Sequence, residues 1–218
     1  MKLPLFILRL VYSIIRRLEI ADATRLLYLA AGDSSTTSLP PRYELRTPQP
    51  DELLELIQSG KAPPSIGSSR NLTERRRIVV IVTPEQEVIS YLWLATQTVD
   101  AADNFSRSPH LGTSVVLPPR AAFLFNAWTH PDHRGKRLIG CMISHVIENR
   151  LAGTDTLMTT MDWTNDRSYL AFAHIGMRPI GTVIRLGRGP LQLSFLPRTA
   201  TQFGFELAGQ APGYKFAF

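Results

Sequence analysis

The stretch Thr129-His130-Pro131-Asp132-His133-Arg134-Gly135-Lys136-Arg137-Leu138-Ile139-Gly140 joins two segments of different periodicity. Before it, Ala121 to Thr129 is an apolar and aromatic run that reads as a strand. After it, Leu138, Ile139, Met142, Ile143, Val146 and Ile147 form one apolar stripe at helical spacing, ending near Gly153. The junction is therefore a strand end, a proline turn and a helix start carrying a glycine and three cations. The first N–H groups of a helix have no partner inside it, and the helix dipole places partial positive charge there. Gly135 lets a ligand approach the backbone closely, and Arg134, Lys136 and Arg137 add full charges. Solvated cations beside an ordinary turn are the plainer reading of Arg-Gly-Lys alone. Placement between a strand and an amphipathic helix favours an anion.

Working outward, Thr156 to Asp162 reads as a strand, Asn165 to Ile175 as a helix stopped by Gly176, and Met177 to Leu186 as another strand, with Leu191 to Leu196 a further candidate. Upstream, Tyr43 to Arg46 is a short strand and Asp51 to Ser59 a helix, followed by a loop over Lys61 to Asn71. Arg77 to Val82 and Val88 to Thr96 form a hairpin around Pro84-Glu85-Gln86-Glu87. Gln97 to Arg120 is polar, without periodicity, and longer than most loops in compact domains, which reads as a lid, a binding loop or a poorly ordered stretch, with an acceptor-binding loop preferred. The succession of strands and helices predicts a mixed α/β (α+β) domain.

At the N-terminus, Lys2, Arg9 and Arg16 recur every seven residues on one face with Ser13, while Phe6, Leu10, Ile14 and Leu18 lie elsewhere around the helix. This basic amphipathic helix either covers the domain's own core or, through residues 1–20, lies on an anionic membrane surface. The apolar run is too short to span a bilayer. Helical pattern continues from Ala21 to Ala31 and stops at Gly32, and Asp33 to Pro41 reads as a linker. Residues 1–41 are thus expected to be a helical appendage and linker, and 42–218 the main domain.

Lys and Arg outnumber Asp and Glu by 24 to 18, so the chain carries +6, which suits phosphates, nucleic acid or an anionic membrane. One cysteine, Cys141, excludes an intramolecular disulfide framework and points to a reducing cytoplasm. His110, His133, His145 and His174 lack the spacing of a metal site, and no metal is expected. Arg75-Arg76-Arg77 is a charge cluster without the aromatic interleaving of a nucleic-acid surface, and Trp93, Trp128 and Trp163 belong to predicted packing.

The Thr129–Ile139 segment resembles the GNAT superfamily of N-acyltransferases, whose pattern after the fourth strand is Val-x-Pro-x-x-Arg-Gly-x-Gly-x-Gly/Ala. It departs at Arg137 and Ile139, which occupy the two later glycine positions. A second block, Asn165-Asp166-Arg167-Ser168 followed by Phe172, His174, Gly176 and Met177, is similar to the family's Asn-x-x-Ala, Tyr, Lys, Gly and Phe. The resemblance runs from Arg42 to Gly189 and is specific from Ala121 to Gly181. It implies a strongly bent mixed sheet flanked by helices, here with an extra N-terminal helical segment, and acetyl-CoA or another acyl-CoA wedged between splayed fourth and fifth strands.

On that resemblance Trp128 and Thr129 pair with the pantetheine arm, residues Arg134, Gly135, Lys136, Arg137, Leu138 and Ile139 wrap the pyrophosphate, and Asn165 and Ser168 flank the pantetheine. The implied reaction is attack by an amine on a thioester, which needs a base, oxyanion donors and an acid. Phe172 stands at the family's tyrosine position and cannot donate a proton, which leaves water or Tyr169. Asp162 and His130 are the candidate bases, with helix capping and packing as their respective alternatives. The expected acceptor is a small or lipid-linked amine, and a homodimer is left open. A catalytically weak acyl-CoA-binding protein and a basic nucleic-acid-binding protein are the competing readings.

Overall fold

The computed structural model describes residues 5–106, 108–187, 192–208 and 214–217. The expectations placed on Lys2, Leu191 and the side chains of Phe6 and Arg16 lie outside what is described. In chain order the elements are α1 (Leu5–Arg17), β1 (Ala21–Ala30), β2 (Glu44–Arg46), α2 (Pro50–Gln58), β3 (Arg76–Val82), β4 (Val88–Thr96), β5 (Thr98–Val99), β6 (Val115–Val116) and β7 (Ala121–Thr129). They continue with α3 (Leu138–Glu148), β8 (Thr156–Asp162), α4 (Asp166–Ala173), β9 (Arg178–Leu186), β10 (Leu193–Leu196), α5 (Arg198–Gln202), β11 (Glu206–Leu207) and β12 (Tyr214–Ala217).

Among the described residues one mixed sheet runs in the order β12-β10-β9-β1-β8-β7-β4-β3-β2. β7 and β8 are parallel, and α3 supplies the crossover that a parallel pair requires. Leu138, Met142, Ile143 and Val146 of α3 bury their stripe on one face of the sheet, against Val79, Leu92, Leu124 and Leu157. On the other face Leu53 of α2 and Ile66 cover Ile78, Val80 and Trp93. Pro50 opens α2, and Gln49 and Glu52 form a reciprocal capping box, with the Gln49 N–H donating to Glu52 Oε2 at 2.7 Å.

Ala21 to Ala31, expected to prolong the first helix, is corrected by the structure: Ala21–Ala30 is strand β1, hydrogen-bonded between β8 and β9. Asp22, Thr24 and Leu26 alternate toward a buried face. Two of those three are polar, so the alternation does not show as hydropathy, while Ala, Leu and Arg favour helix locally. Pairing on both edges overrides that propensity. The sheet therefore draws strands from both sides of Pro40-Pro41.

The polar face of β1 is satisfied by Arg185 of β9, which is fully buried. Its Nη1 donates to Asp22 Oδ2 at 3.3 Å and to Thr24 Oγ1 at 3.0 Å. Its Nη2 donates to Asn104 Oδ1 and its Nε to Thr113 Oγ1, both at 2.9 Å. Asn104 and Thr113 belong to the Gln97–Arg120 segment, so one guanidinium latches that segment onto the sheet. Apart from Arg107, which lies outside the described residues, the segment is built from short strands and 3-10 turns, with β5, β6 and β11 in a small second sheet. Val99, Val115 and Leu117 pack with Leu196 and Phe205, which gives this long connection a core of its own.

The turn after α4 depends on Gly176, whose φ of 101° suits glycine and where a Cβ would overlap the Asp33 carbonyl oxygen. Gly176→Ala is expected to cost about 2 kcal/mol or more, read as a lower urea midpoint at unchanged slope. An unchanged midpoint would mean that the turn re-forms around the new methyl group.

Candidate functional site: a cleft between parted strands

β7 and β8 pair only at their starts, Ala121 with Thr156, Ala122 with Leu157 and Phe123 with Met158. Beyond that point the strands separate, and Thr159 Oγ1 donates to Leu124 O at 2.8 Å where they part. β7 is bent by a bulge in which Asn126 and Ala127 face Leu92 alone. Asn126 takes a left-handed φ of 45°, a conformation that asparagine tolerates better than most residues.

Three cavities with shared walls follow this gap. The central one, about 160 Å³, lies between the strands and is lined by Leu124, Phe125, Thr160, Asn165, Ser168 and Phe172. Through Ala127 and Ser168 it adjoins a cavity of about 640 Å³ beneath the turn that precedes α3. Through Phe125, Asn126, Phe105 and Asp103 it adjoins a third, about 410 Å³, on the side of the Gln97–Arg120 segment.

The turn before α3 has the electrostatics of an anion site. Gly135 has φ 78°, and Arg137, the residue before the helix, has φ 56°. Arg137 thus keeps a left-handed backbone that a glycine would adopt at lower cost. The first helical hydrogen bond runs from the Cys141 N–H to Arg137 O at 3.1 Å. Among the described residues, the N–H groups of Gly135, Lys136, Arg137, Leu138, Ile139 and Gly140 have no protein acceptor. These residues line the 640 Å³ cavity.

The cations are held in place around that turn. Arg134 Nε donates to Thr129 O at 3.2 Å, and Lys136 Nζ donates to Tyr43 OH at 3.1 Å and Asp132 O at 3.3 Å. Tyr43 OH lies 2.9 Å from His133 Nδ1. Burial, then the nearby Lys136, His130 and Arg42, hold the His133 imidazole below its usual range, which keeps it neutral at pH 7.

Trp128, Thr129 and residues Arg134 to Ile139 line the 640 Å³ cavity, Asn165 lines the central one, and Ser168 lines both. The carbonyls of Trp128 and Thr129 each already accept one hydrogen bond, from Ser90 Oγ at 2.9 Å and from Arg134 Nε. Asn165 Oδ1 caps α4 by accepting from the Ser168 N–H at 3.1 Å, so its amide NH2 is the group left for a ligand.

The two residues expected as bases stand apart from these walls. Asp162 ends β8; its Oδ1 accepts from the Thr164 N–H at 2.7 Å and from the Thr164 hydroxyl, and its Oδ2 from Ser106 Oγ at 3.1 Å. That is the work of a turn cap. His130 packs edge-on against Trp128 and His133, and its Nδ1 accepts from the Asp132 N–H at 3.3 Å. Neither lines any of the three cavities. Tyr169, considered as an acid, lies under the Arg25 guanidinium at 4.5 Å and is also absent from those walls.

Asp103 was missed by the sequence reading. It lines both the central and the third cavity and, among the described residues, is the sole carboxylate in the walls of the three. It pairs with Arg76 Nη2, which also reaches Asp100 Oδ2 at 2.8 Å. Burial raises its carboxyl above the usual range, against the pull of Arg76 and with the push of Asp100. Only its position in the long polar segment marked it in the sequence. The same pairs commit the Arg76 guanidinium to two carboxylates. Among the described residues no cluster of three or more His, Cys, Asp or Glu could hold a metal ion.

No protein-family model matches the chain, and a search of curated protein sequences finds no match. Solved structures do match in shape. A GNAT-family protein from Novosphingobium aromaticivorans superposes with a TM-score of 0.50 at 13% identity, covering 78% of this chain and 66% of that one. The fold is that of the GNAT family. A GCN5-related N-acetyltransferase from Kribbella flavida gives 0.48 at 14% identity over 82% of this chain and 63% of that one. A Drosophila protein gives 0.49 at 16% over 86% and 59%. This chain therefore spans about three-fifths to two-thirds of the length of these structures. At such identities the likeness concerns architecture alone.

Proposed function

We propose that this protein is an acyl-CoA-dependent N-acyltransferase, acetyl by default, acting on a small or lipid-linked amine. The observation that carries the reading is the row of unpartnered N–H groups from Gly135 to Gly140 facing a cavity that continues into the gap between β7 and β8. Amides at a helix start with Arg134, Lys136 and Arg137 around them suit a diphosphate. The donor set therefore fits acyl-CoA, with Trp128, Thr129, Asn165 and Ser168 along the pantetheine path. When bound, that group supplies a thioester carbonyl open to attack and a thiol that is a fairly good leaving group.

The amine acceptor enters from the third cavity, between Trp93, Phe125 and the Gln97–Arg120 segment. An ammonium must lose a proton before its lone pair can attack, and Asp103, at the junction of the central and third cavities, is the base of this reading. It takes the part that the sequence suggested for Asp162 or His130. The Thr159 and Thr160 hydroxyls are committed to Leu124 O and Asn104 Oδ1. The Ser168 hydroxyl, without a partner among the described residues, is the donor left for the departing sulfur. Phe172, 9% exposed in the central wall, excludes water there and donates nothing.

Isothermal titration with acetyl-CoA tests the binding half: heat at micromolar to millimolar ligand is expected, and its absence from a folded sample removes the proposal. Thiol release with an amine panel tests the second half. Binding without turnover on any amine would leave a GNAT-fold acyl-CoA-binding protein, the reading that Phe172 favours. Asp103→Asn is expected to lower kcat about a hundredfold, within the usual range for a lost general base. A carboxyl raised by burial loses its charge as pH falls through that raised pKa, so the wild-type rate should fall there and the variant should lack that limb. A variant with the wild-type profile would show that Asp103 takes no proton.

A further inference from the structure

Helix α1 is mounted with its polar side inward. Arg9 Nη2 donates to Asp166 Oδ2 at 2.7 Å, and Asp166 also accepts from Arg25 Nη2 at 2.9 Å. Tyr12 OH donates to Ala23 O at 3.1 Å and accepts from the Ala23 N–H at 3.0 Å, and its ring meets Trp163 edge-on at 5.7 Å. These contacts fix the Arg9 and Tyr12 side to β1 and the start of α4. The apolar side faces out: Leu10 and Leu18 are each 60% exposed and Ile14 55%, with Val11, Ile15 and Ile20 exposed beside them. Leu10, Ile14 and Leu18 are spaced by four, so they form one stripe. A helix that covers its own core is oriented the other way round.

We propose that this stripe is a docking surface for an anionic lipid bilayer, on which α1 lies in the plane of the headgroups. The first twenty residues carry Lys2, Arg9, Arg16 and Arg17 against Glu19 as the one acid, and the whole chain carries +6. Arg9 is spent on Asp166, so the attraction to acidic lipid rests on the exposed Arg17 beside the stripe and on the positive charge of the chain. No helix among the described residues is long and apolar enough to cross a membrane, so α1 lies on the bilayer. A second copy of this chain is the weaker occupant. A thirteen-residue helix is about 20 Å long, and its one face falls short of the ~800 Å² per partner of a standard interface. Pairing two such helices would also bring basic segments together. The placement bears on the cleft, because Glu19 O, just beyond α1, lies 2.6 Å from His110 Nε2 in the Gln97–Arg120 segment.

Sedimentation of the full chain with vesicles tests this independently of any transferase activity. Vesicles of phosphatidylglycerol with phosphatidylcholine should bind at least ten times more protein than phosphatidylcholine alone. The variant Leu10→Gln/Ile14→Gln/Leu18→Gln should lose at least ten times in binding while keeping its melting temperature, since all three side chains project into solvent. Absence of binding to either vesicle, or equal binding by the variant, overturns the proposal. So does a concentration-dependent dimer in light scattering that the variant abolishes.

Discussion

Reversing both Lys136 and Arg137 to Glu should weaken acetyl-CoA binding at least a hundredfold in calorimetry. Each cation supplies a charge-assisted contact of about 1.5–3 kcal/mol, and 1.4 kcal/mol is a factor of ten. Reversal adds repulsion to the loss. Arg137 is exposed and Lys136 half-buried against Tyr43, so the unfolding midpoint should move far less than the affinity does, which separates a binding defect from a folding one. The wild-type affinity should also fall with ionic strength, and the variant should lose most of that dependence. If the double variant binds as the wild type does, the diphosphate is not held at this turn, and the free amides from Gly135 to Gly140 lose their assignment.

Arg185→Met should be the most destabilising single change, at about 3–5 kcal/mol, because it strands a buried carboxylate. The loss should register in urea denaturation at pH 7. Asp22→Asn combined with Arg185→Met should recover much of it, since the uncompensated charge then disappears along with its partner. The pH dependence follows from Asp22, whose carboxyl burial already raises, with Arg185 opposing that shift. A carboxyl raised in the folded state favours folding below its unfolded pKa and gives that up as pH climbs through the folded value. Without Arg185 the rise is larger, so the variant's deficit should be greatest at neutral pH and shrink toward pH 5. A loss under 1 kcal/mol, or one flat with pH, would show that the Asp22–Arg185 pair does not hold β1 to β9.

The segments whose hydropathy carried their structure were readable from sequence. β3, β4 and β7 are continuous apolar runs, and α3 shows its buried stripe at helical spacing, so Leu138 to Ile147 were placed to within a residue or two. The turn before α3 was readable because its residue types serve one local purpose, which needs no distant contact. What escaped was specified by partners remote in sequence. Asp22 and Thr24 become buried strand residues only because Arg185, about 160 positions on, neutralises and satisfies them. Asp103 enters the cleft because Arg76 and the latch at Asn104 bring its segment there. Asp162 looked catalytic by strand alternation, but Thr164 and Ser106 occupy its oxygens, and no periodicity reveals that.

The central place of β1 shapes how the chain must acquire its structure as it is made. β1 is complete at Ala30, but its neighbours begin at Thr156 and Arg178. At 5–20 residues per second the wait for β8 alone is roughly 6–25 seconds. During that time Leu26, Leu27 and Leu29 lack both strands that later flank them. Closure of β1 therefore waits on strands far along the chain, which should make refolding slow and sensitive to loss of β8 or β9.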